Sequence, residues 1–503
     1  MKELLLTIDV GSRCSKCVLF DLSGNPLASG QSDYKTSQPH PGWAEIDPSE
    51  LLEAVLTSLR QALQEIDTGM IRGVGVTAQL GLVGVDLTGS PVSKILPWMD
   101  RRSTRQAARI SRTLGNSEVY RVSGRRVDPE RMACKILWLK QNDPNAYRDV
   151  HQFLTIKDYL VYQLTGQFII DETHASYSLL FNIRDRVWEQ SFLEALDLEE
   201  SYLPRVHTAQ TIVGQTSGLF CSAAGIPEDL PVIAGCSDGS AGTLGAGLIS
   251  EGDAVNVSGT TDVLLACTPE PYFDPNMGTL VNCYPIPEMW GQGGPHSMTG
   301  GCLRWFYDTF AETGTAVEKW LHTLEREVRH IAPNPTKLLC IPSLVGERTP
   351  TWDSNVRGVF FGISSQHKRA HFFRAILEGS VFGLKRSLET LENLGLDINR
   401  IRLVGGGAGS KLSASIRADI LSKPIVLPSV PEATSLGTAI LAAVGTGAFS
   451  NFGEAVAHMV SLTESIEPNP RNQPVYEMLY QEFLALHDSL KKPFENLSNL
   501  PDG

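Results

Sequence analysis

The chain opens on an apolar run, "LLLTIDV" (residues 4–10), and a second, "KCVLFDL", follows across "GSRCS". A tight "SGN" turn then leads into "PLASGQ", so the first segment predicts a β-meander. In "IDPSELLEAVLTSLRQALQEI" the apolar positions change to helical spacing, with Asp47 as N-cap and Pro48 in the first turn. Leu52, Val55, Leu56, Leu59, Leu63 and Ile66 form the expected buried stripe. "IRGVGVTAQ" reads as a buried strand ending at a polar residue. The order β-β-β-α-β predicts an α/β fold, a mixed sheet flanked by helices.

The same pattern returns in "AVNVSGTTDVLLAC" (254–267): apolar strand, small-Gly-hydroxyl turn, apolar strand. Placing Gly259 on Gly11 puts Thr260 on Ser12. Two related halves would build a cleft with a hydroxyl-bearing glycine turn on each wall. Two unrelated hairpins would give the same local pattern.

Length and charge narrow the classes. At 503 residues the chain needs two or three domains, and its 42% hydrophobic content supplies their cores. No apolar run approaches the roughly eighteen residues of a membrane span. A basic leader with a cleavage site is absent from the start, so the cytoplasm is the expected address. A net charge of −13 without any basic run opposes a nucleic-acid partner. Small phosphorylated ligands stay open, because glycine loops, helix N-termini and bound metals hold phosphate without net positive charge.

The nine cysteines, at 14, 17, 134, 221, 236, 267, 283, 302 and 340, read as reduced thiols. Cys14-x-x-Cys17 lacks the second ligand pair that zinc needs. A thioredoxin-like pair should open a helix, whereas "CVLFDL" continues as a strand.

Three further segments carry candidate chemistry. "LVGGGAGSKLSASIRADIL" (403–421) runs a strand through four glycines and an alanine into a helix, where a flat ring or phosphate could lie against backbone. A plain strand-to-helix turn is the alternative. "PVIAGCSDGSAGTLGAG" (231–247) places Asp238 between a buried strand and a small-residue helix, either as a helix cap or as a base for a substrate hydroxyl. "ILPWMDRRS" (95–103) joins Trp98 to Asp100, Arg101 and Arg102, an aromatic platform beside hydrogen-bonding groups that suits a polyol. The alternative buries Trp98 and leaves the charges outside. Asp9, ahead of Gly11-Ser12, could ligate Mg²⁺ or cap the turn. Lys16 could meet phosphate or solvent.

Taken together, these segments resemble the FGGY carbohydrate kinases, the sugar-kinase branch of the actin, hexokinase and sugar-kinase ATPase fold. The resemblance runs from "TIDVGSRCSKCVLFD" to "EATSLGTAILAAVG" through "PHPGWAEIDP", "CKILWLKQN", "GCSDGSAG", "VSGTT", "GERTPTWDSNVRGVFFGIS" and "LVGGGAGSK". It implies two ribonuclease-H-like domains flanking a cleft, with residues 1–246 binding sugar and 247–503 binding ATP. By the same resemblance Asp238 is the general base and Asp9 positions Mg²⁺. Gly11, Ser12, Arg13, Cys14 and Lys16 form the first phosphate loop, and Gly259, Thr260 and Thr261 the second. Gly406, Gly407 and Ala408 match the adenosine loop, while Gln79, Trp98 and Asp100 match the substrate region.

The implied activity is ATP-dependent phosphorylation of a small keto-sugar, a pentulose such as xylulose or ribulose first. A polyol, a hexulose or a small linear signalling carbohydrate are the alternatives. A nucleotide-gated binding protein of actin-like fold is a third reading, which a base facing the sugar cleft argues against. Two departures bear on this. The family's xylulose kinases carry Gln-Met-His where this chain has Gln79-Leu80-Gly81, and its glycerol kinases carry an absent Arg-Glu pair. Thr or Ser is common where Arg13 and Cys14 stand, and a thiol is a poor donor. The expected partners are the sugar and ATP, without nucleic acid or membrane, and a homodimer is left open.

Overall fold

The computed structural model describes residues 3–296, 298–329, 331, 337–429 and 432–500. The meander is present as β1 (Leu4–Val10), β2 (Cys14–Asp21) and β3 (Pro26–Asp33). Asp47 accepts from the Ser49 amide to cap α1 (Pro48–Leu63), which returns the chain to β4 (Ile71–Ala78). The face that α1 buries is Leu51, Ala54, Val55, Ser58, Leu59, Ala62 and Leu63, turned from the expected stripe, with Leu52 and Leu56 only half-buried. The rotation has a steric cause. Where α1 crosses β3, a Cβ on Gly30 would lie 2.1 Å from the Ser58 carbonyl oxygen. Small residues must therefore line the contact.

β5 (Ile212–Gln215), β6 (Pro231–Ile233) and β7 (Cys236–Ser237) complete the first sheet, ordered β5-β6-β4-β1-β2-β3 with β7 also on β4. α2 (Asp238–Gly245) then leads into the second half. There β8 (Asp253–Ser258), β9 (Asp262–Thr268), β10 (Leu280–Cys283), β11 (Trp290–Pro295) and β12 (Arg400–Val404) are followed by helix α3 (Lys411–Leu421), β13 (Ile425–Pro428), helix α4 (Ala433–Gly445) and β14 (Leu462–Ile466). The second sheet runs β10-β11-β9-β8-β12-β13-β14.

The two sheets share one plan. β3-β2-β1-β4-β6-β5 repeats as β11-β9-β8-β12-β13-β14, with the same antiparallel and parallel pairings in the same places. The hairpins are therefore equivalent elements of two related halves, not a coincidence of pattern. They differ by one residue: Val10 pairs with Ser15, whereas Ser258 pairs with Asp262.

α4, late in the chain, lies against the first sheet. Leu436, Ala439, Ile440 and Ala443 pack with Leu5, Val18, Phe20, Ile233 and Cys236 in one core. The glycines of "IRGVGVT" now have a reason: a Cβ on Gly75 would sit 2.8 Å from the Thr438 side chain. α2 and α4 cross backbone against backbone, since a Cβ on Gly245 would lie 1.8 Å from the Ala433 oxygen and one on Gly437 1.9 Å from that of Ala241. Between β4 and β5 an inserted helical region builds its own core around Ile136, Leu137, Phe153, Phe181 and Leu193. Among the described residues, no helix is long and apolar enough to cross a membrane.

Candidate active site

The first hairpin turn is closed by the Gly11 amide donating to the Cys14 carbonyl at 3.0 Å. Strand alternation sends Cys14 and Lys16 to one face of β2, and Ser15 and Cys17 to the other. Cys17 is buried beside Ser58 Oγ (3.2 Å), and burial pushes its thiol up to about 12. Cys14 stays half-buried at the turn, its thiol raised by burial and by Asp33 and Asp9. The two sulfurs thus diverge and cannot meet one metal ion. Lys16 is neither solvated nor free: its Nζ lies 2.5 Å from Glu432, at the start of α4, tying the first hairpin to the second half of the chain.

Around the turn, the substrate expectations change. Gln79 is 1% exposed, and its Nε2 donates to Tyr34 Oη (2.7 Å) and the Gly11 carbonyl (3.3 Å) while its Oε1 accepts from Ser12 Oγ (3.1 Å). Both ends of the amide are committed, so Gln79 braces the loop rather than facing a ligand. Tyr34 donates its hydroxyl proton to the same Gly11 carbonyl. Asp100 is wholly buried, accepting from the Ala44 amide (2.7 Å) and from Arg102 Nε (2.8 Å), with no face toward a cleft. Arg102 in turn lies over the rings of Trp43 and Trp138 at 4.0 and 4.9 Å, and Arg101 pairs with Asp128. Trp98 is exposed at 37%, Arg101 is exposed too, and the Trp98 indole N–H donates to Ser12 Oγ at 3.1 Å. The alternative of a buried Trp98 with exposed charges holds only for Arg101: Asp100 and Arg102 are buried and the indole is not. Burial is satisfied by the paired ions, and the indole edges the loop. Arg13 is exposed at the turn.

Asp238 is the first residue of α2, preceded by Ser237 at the cap position, and its Oδ1 accepts from the Gly239 amide at 2.7 Å. Capping is thus not its task. Burial raises its pKa against the opposing pull of Gly239 and His174. Asp9 accepts no hydrogen bond from the described residues, and burial followed by the charges of Asp238 and Glu432 pushes it up to about 8. The turn-capping reading of Asp9 fails, since Gly11 and Cys14 close the turn between themselves.

A buried ionic cluster fixes the Asp238 segment. Lys157 Nζ donates to the Ala234 carbonyl (2.6 Å) and pairs with Asp158 and Asp171, and Asp171 holds His174 Nδ1 at 2.7 Å. Burial alone would raise Asp171, but Lys157 and His174 outweigh it and hold the carboxyl low. The Ser237 amide donates to Thr173 Oγ1 at 2.9 Å, clamping the residue before Asp238 onto this cluster.

In the second half, Gly405 takes φ +84°, and a Cβ on it would lie 2.6 Å from the Ser258 carbonyl oxygen. The glycine loop and the second hairpin thereby meet. Gly259, Thr260, Gly406 and Gly407 line one cavity of about 430 Å³ with Leu303, Leu321, Phe373 and Leu377 on its apolar side. Thr261 and Ala408 stand beside it without lining it. Buried Arg417 braces this wall, donating to Asn256 Oδ1 (2.8 Å) and Ser258 Oγ (2.8 Å). An apolar slot edged by glycine amides and hydroxyls suits a purine and its phosphates.

Sequence reasoning missed Glu432, Tyr34, His174 and Arg417. Glu432 and Arg417 stood in quoted segments without a role, Tyr34 and Arg417 bond residues far away in sequence, and His174, though paired to nearby Asp171, is brought to the Asp238 segment only by the fold.

Residues 4–245 match the N-terminal domain of the FGGY family of carbohydrate kinases and residues 254–446 its C-terminal domain. The chain is 31% identical over 501 residues to the xylulose kinase of Staphylococcus epidermidis, covering 98% of each chain. It is 27% identical to the gluconokinase of Bacillus licheniformis, covering 99% of this chain and 98% of that one. The solved gluconate kinase of Lactobacillus acidophilus superposes with a TM-score of 0.91 at 24% identity, over 99% of this chain and all of that one, a likeness of fold. The chain belongs to the FGGY family of carbohydrate kinases and is an ATP-dependent sugar kinase.

Proposed function

We propose that the chain transfers the γ-phosphoryl group of ATP to a hydroxyl of a small open-chain carbohydrate, with Asp238 as general base. The observation that carries the reading is the placement of Asp238: clamped through Ser237, outside the capping role, and raised in pKa beside the unpartnered carboxylate of Asp9. A raised carboxylate takes a hydroxyl proton more readily than an ordinary one. The base accepts the proton as the hydroxyl oxygen attacks phosphorus and the bond to the ADP oxygen breaks.

Asp9 fits Mg²⁺: an acidic residue with no internal donor, crowded by two other carboxylates, is relieved by a divalent cation. When bound, that ion screens the charge of the nucleotide phosphates. Gly11, Ser12, Arg13 and Cys14 supply the first phosphate turn, held in shape by Gln79 and Tyr34. Gly259, Thr260 and Thr261 supply the second, and Gly406, Gly407 and Ala408 border the nucleoside. Lys16 enters the phosphate loop only by leaving Glu432, so closure over nucleotide exchanges one partner for another. Water exclusion and alignment then supply most of the rate. Residues 1–246 carry the acceptor and 247–503 most of the nucleotide site.

The acceptor is a chain of five or six carbons. Similarity to a xylulose kinase supports the pentulose expected from the sequence, and similarity to a gluconokinase supports a sugar acid. The test is Asp238→Asn, which should lower kcat at least about 100-fold while ATP still binds. Turnover within a few-fold of the unaltered protein refutes the assignment.

A further inference from the structure

A line of hydrogen bonds joins Trp98 to the first hairpin turn. The indole N–H donates to Ser12 Oγ at 3.1 Å, Ser12 donates to Gln79 Oε1 at 3.1 Å, and Gln79 Nε2 donates to Tyr34 Oη at 2.7 Å. Tyr34 ends the line on the Gly11 carbonyl. Each group donates to the next, from the indole to the backbone of the turn. Gln79 and Tyr34 are buried, Ser12 is half-buried, and Trp98 is open to solvent.

Strand register sets this line beside Asp238. β1 and β7 both lie parallel to β4, with Val10 and Ser237 each paired to Ala78. Gln79 follows Ala78 and Asp238 follows Ser237, so both leave adjoining strand ends. Trp98 is fixed to the same segment, its amide donating to the Leu80 carbonyl at 2.8 Å.

The Ser12 proton is the limiting resource. A serine hydroxyl has a single proton and two lone pairs. Here the proton goes to Gln79 and a lone pair takes the indole N–H, so Ser12 offers a phosphate oxygen no donor until its proton turns. Turning it leaves the buried Gln79 Oε1 without its donor, which opposes nucleotide binding. An indole N–H held on Oγ works the other way, because it polarises the hydroxyl and strengthens it as a donor. Solvent competes for that N–H while the ring is exposed. A carbohydrate lying on the ring excludes the solvent and keeps the N–H on Ser12. Acceptor and nucleotide thus favour the same state of one hydroxyl.

We propose that Trp98 is a positioning residue that couples the two substrates: through Ser12, an acceptor on the indole raises the affinity for nucleotide, and nucleotide raises the affinity for the acceptor by the same factor. That role rests on the phosphoryl-transfer reading, with a small carbohydrate against the indole. It belongs to the indole nitrogen and is separate from the packing surface that the ring offers.

Isothermal titration of the whole protein measures the Kd of AMP-PNP with Mg²⁺, alone and with saturating D-xylulose or D-gluconate. ADP release from ATP is recorded with the same two carbohydrates. The ratio of Kd without and with carbohydrate is the coupling, and taking it within each variant cancels a general loss of affinity. The parent should show a ratio of at least about 5 with one of the two. Trp98→Phe keeps a ring but removes the N–H, and should bring the ratio to about 1. Ser12→Ala should do the same, whereas Ser12→Thr, which retains a hydroxyl, should preserve the coupling. The double variant Trp98→Phe/Ser12→Ala should lose no more than either change alone. No coupling in the parent, with ADP released, overturns the role of Trp98 and leaves the kinase reading standing. A parental ratio retained in Trp98→Phe overturns it too, because the signal then bypasses the indole nitrogen. Coupling that needs both Trp98 and Ser12, with no ADP released from either carbohydrate, supports the role and defeats the phosphoryl-transfer reading instead.

Discussion

Asp9→Asn separates the stability of the site from its activity. The Asp9 carboxyl is pushed from 3.8 to about 8 by burial and by Asp238 and Glu432. A carboxyl whose folded pKa exceeds its unfolded one binds more protons in the native state between those two values. Stability therefore falls as pH rises from about 4 to about 8. At about 1.36 kcal/mol per unit the ceiling is about 6 kcal/mol. Asp9 is partly open to solvent, and an effective dielectric near 20 leaves about 1–2 kcal/mol. Asparagine removes the charge at nearly constant volume. The nucleotide-free variant at pH 8.5 should melt about 1–4 °C higher than the parent. At pH 5, where the parent carboxyl is already protonated, the two should coincide. Mg²⁺ with ATP should reverse the order by stabilising the parent alone. Differential scanning fluorimetry across pH reads all three. A gain equal at pH 5 and 8.5, or a loss at pH 8.5, refutes the reasoning.

Gly245→Ala would drive a methyl to 1.8 Å from the Ala433 oxygen and 2.7 Å from the Gly437 nitrogen, where only separation of α2 and α4 makes room; a cost of about 3 kcal/mol, read as a lower urea midpoint, is expected. A midpoint unchanged from the parent would disprove the close crossing. Cys14 should be protected from alkylation by ATP, while Cys17 stays unlabelled with or without nucleotide because it is buried against Ser58; equal labelling of Cys14 in both conditions counts against its placement at the nucleotide. Glu432→Gln should raise the affinity for ATP by freeing Lys16 from its ion pair, measurable as a lower Kd; an unchanged or higher Kd would show that Lys16 does not exchange partners.

Local pattern was enough for the two hairpins and the glycine loop. Alternating apolar residues broken at "VGSRCS" and "VSGTT" specify hairpins, and a strand running into "GGGAG" specifies a loop without side chains, because each depends on neighbours a few residues apart. The repeat of that pattern left two related halves and two unrelated hairpins equally open, and the matching strand orders decide for related halves. The buried face of α1 was misplaced because Gly30, on another strand, decided how closely the helix could approach.

What only the tertiary structure decided is which polar side chains are free. In the sequence Gln79, Asp100 and Trp98 are equally available to a sugar, yet partners 45 and 56 residues away consume Gln79 and Asp100 and leave Trp98 at the edge. His174 and Arg131 show the reverse case, unremarkable in sequence and each paired by the fold at one nitrogen while another is left without a partner. Backbone conformation is set by near neighbours and can be read from them. Hydrogen-bond saturation is a count over space, and the chain sets that count only once it has folded.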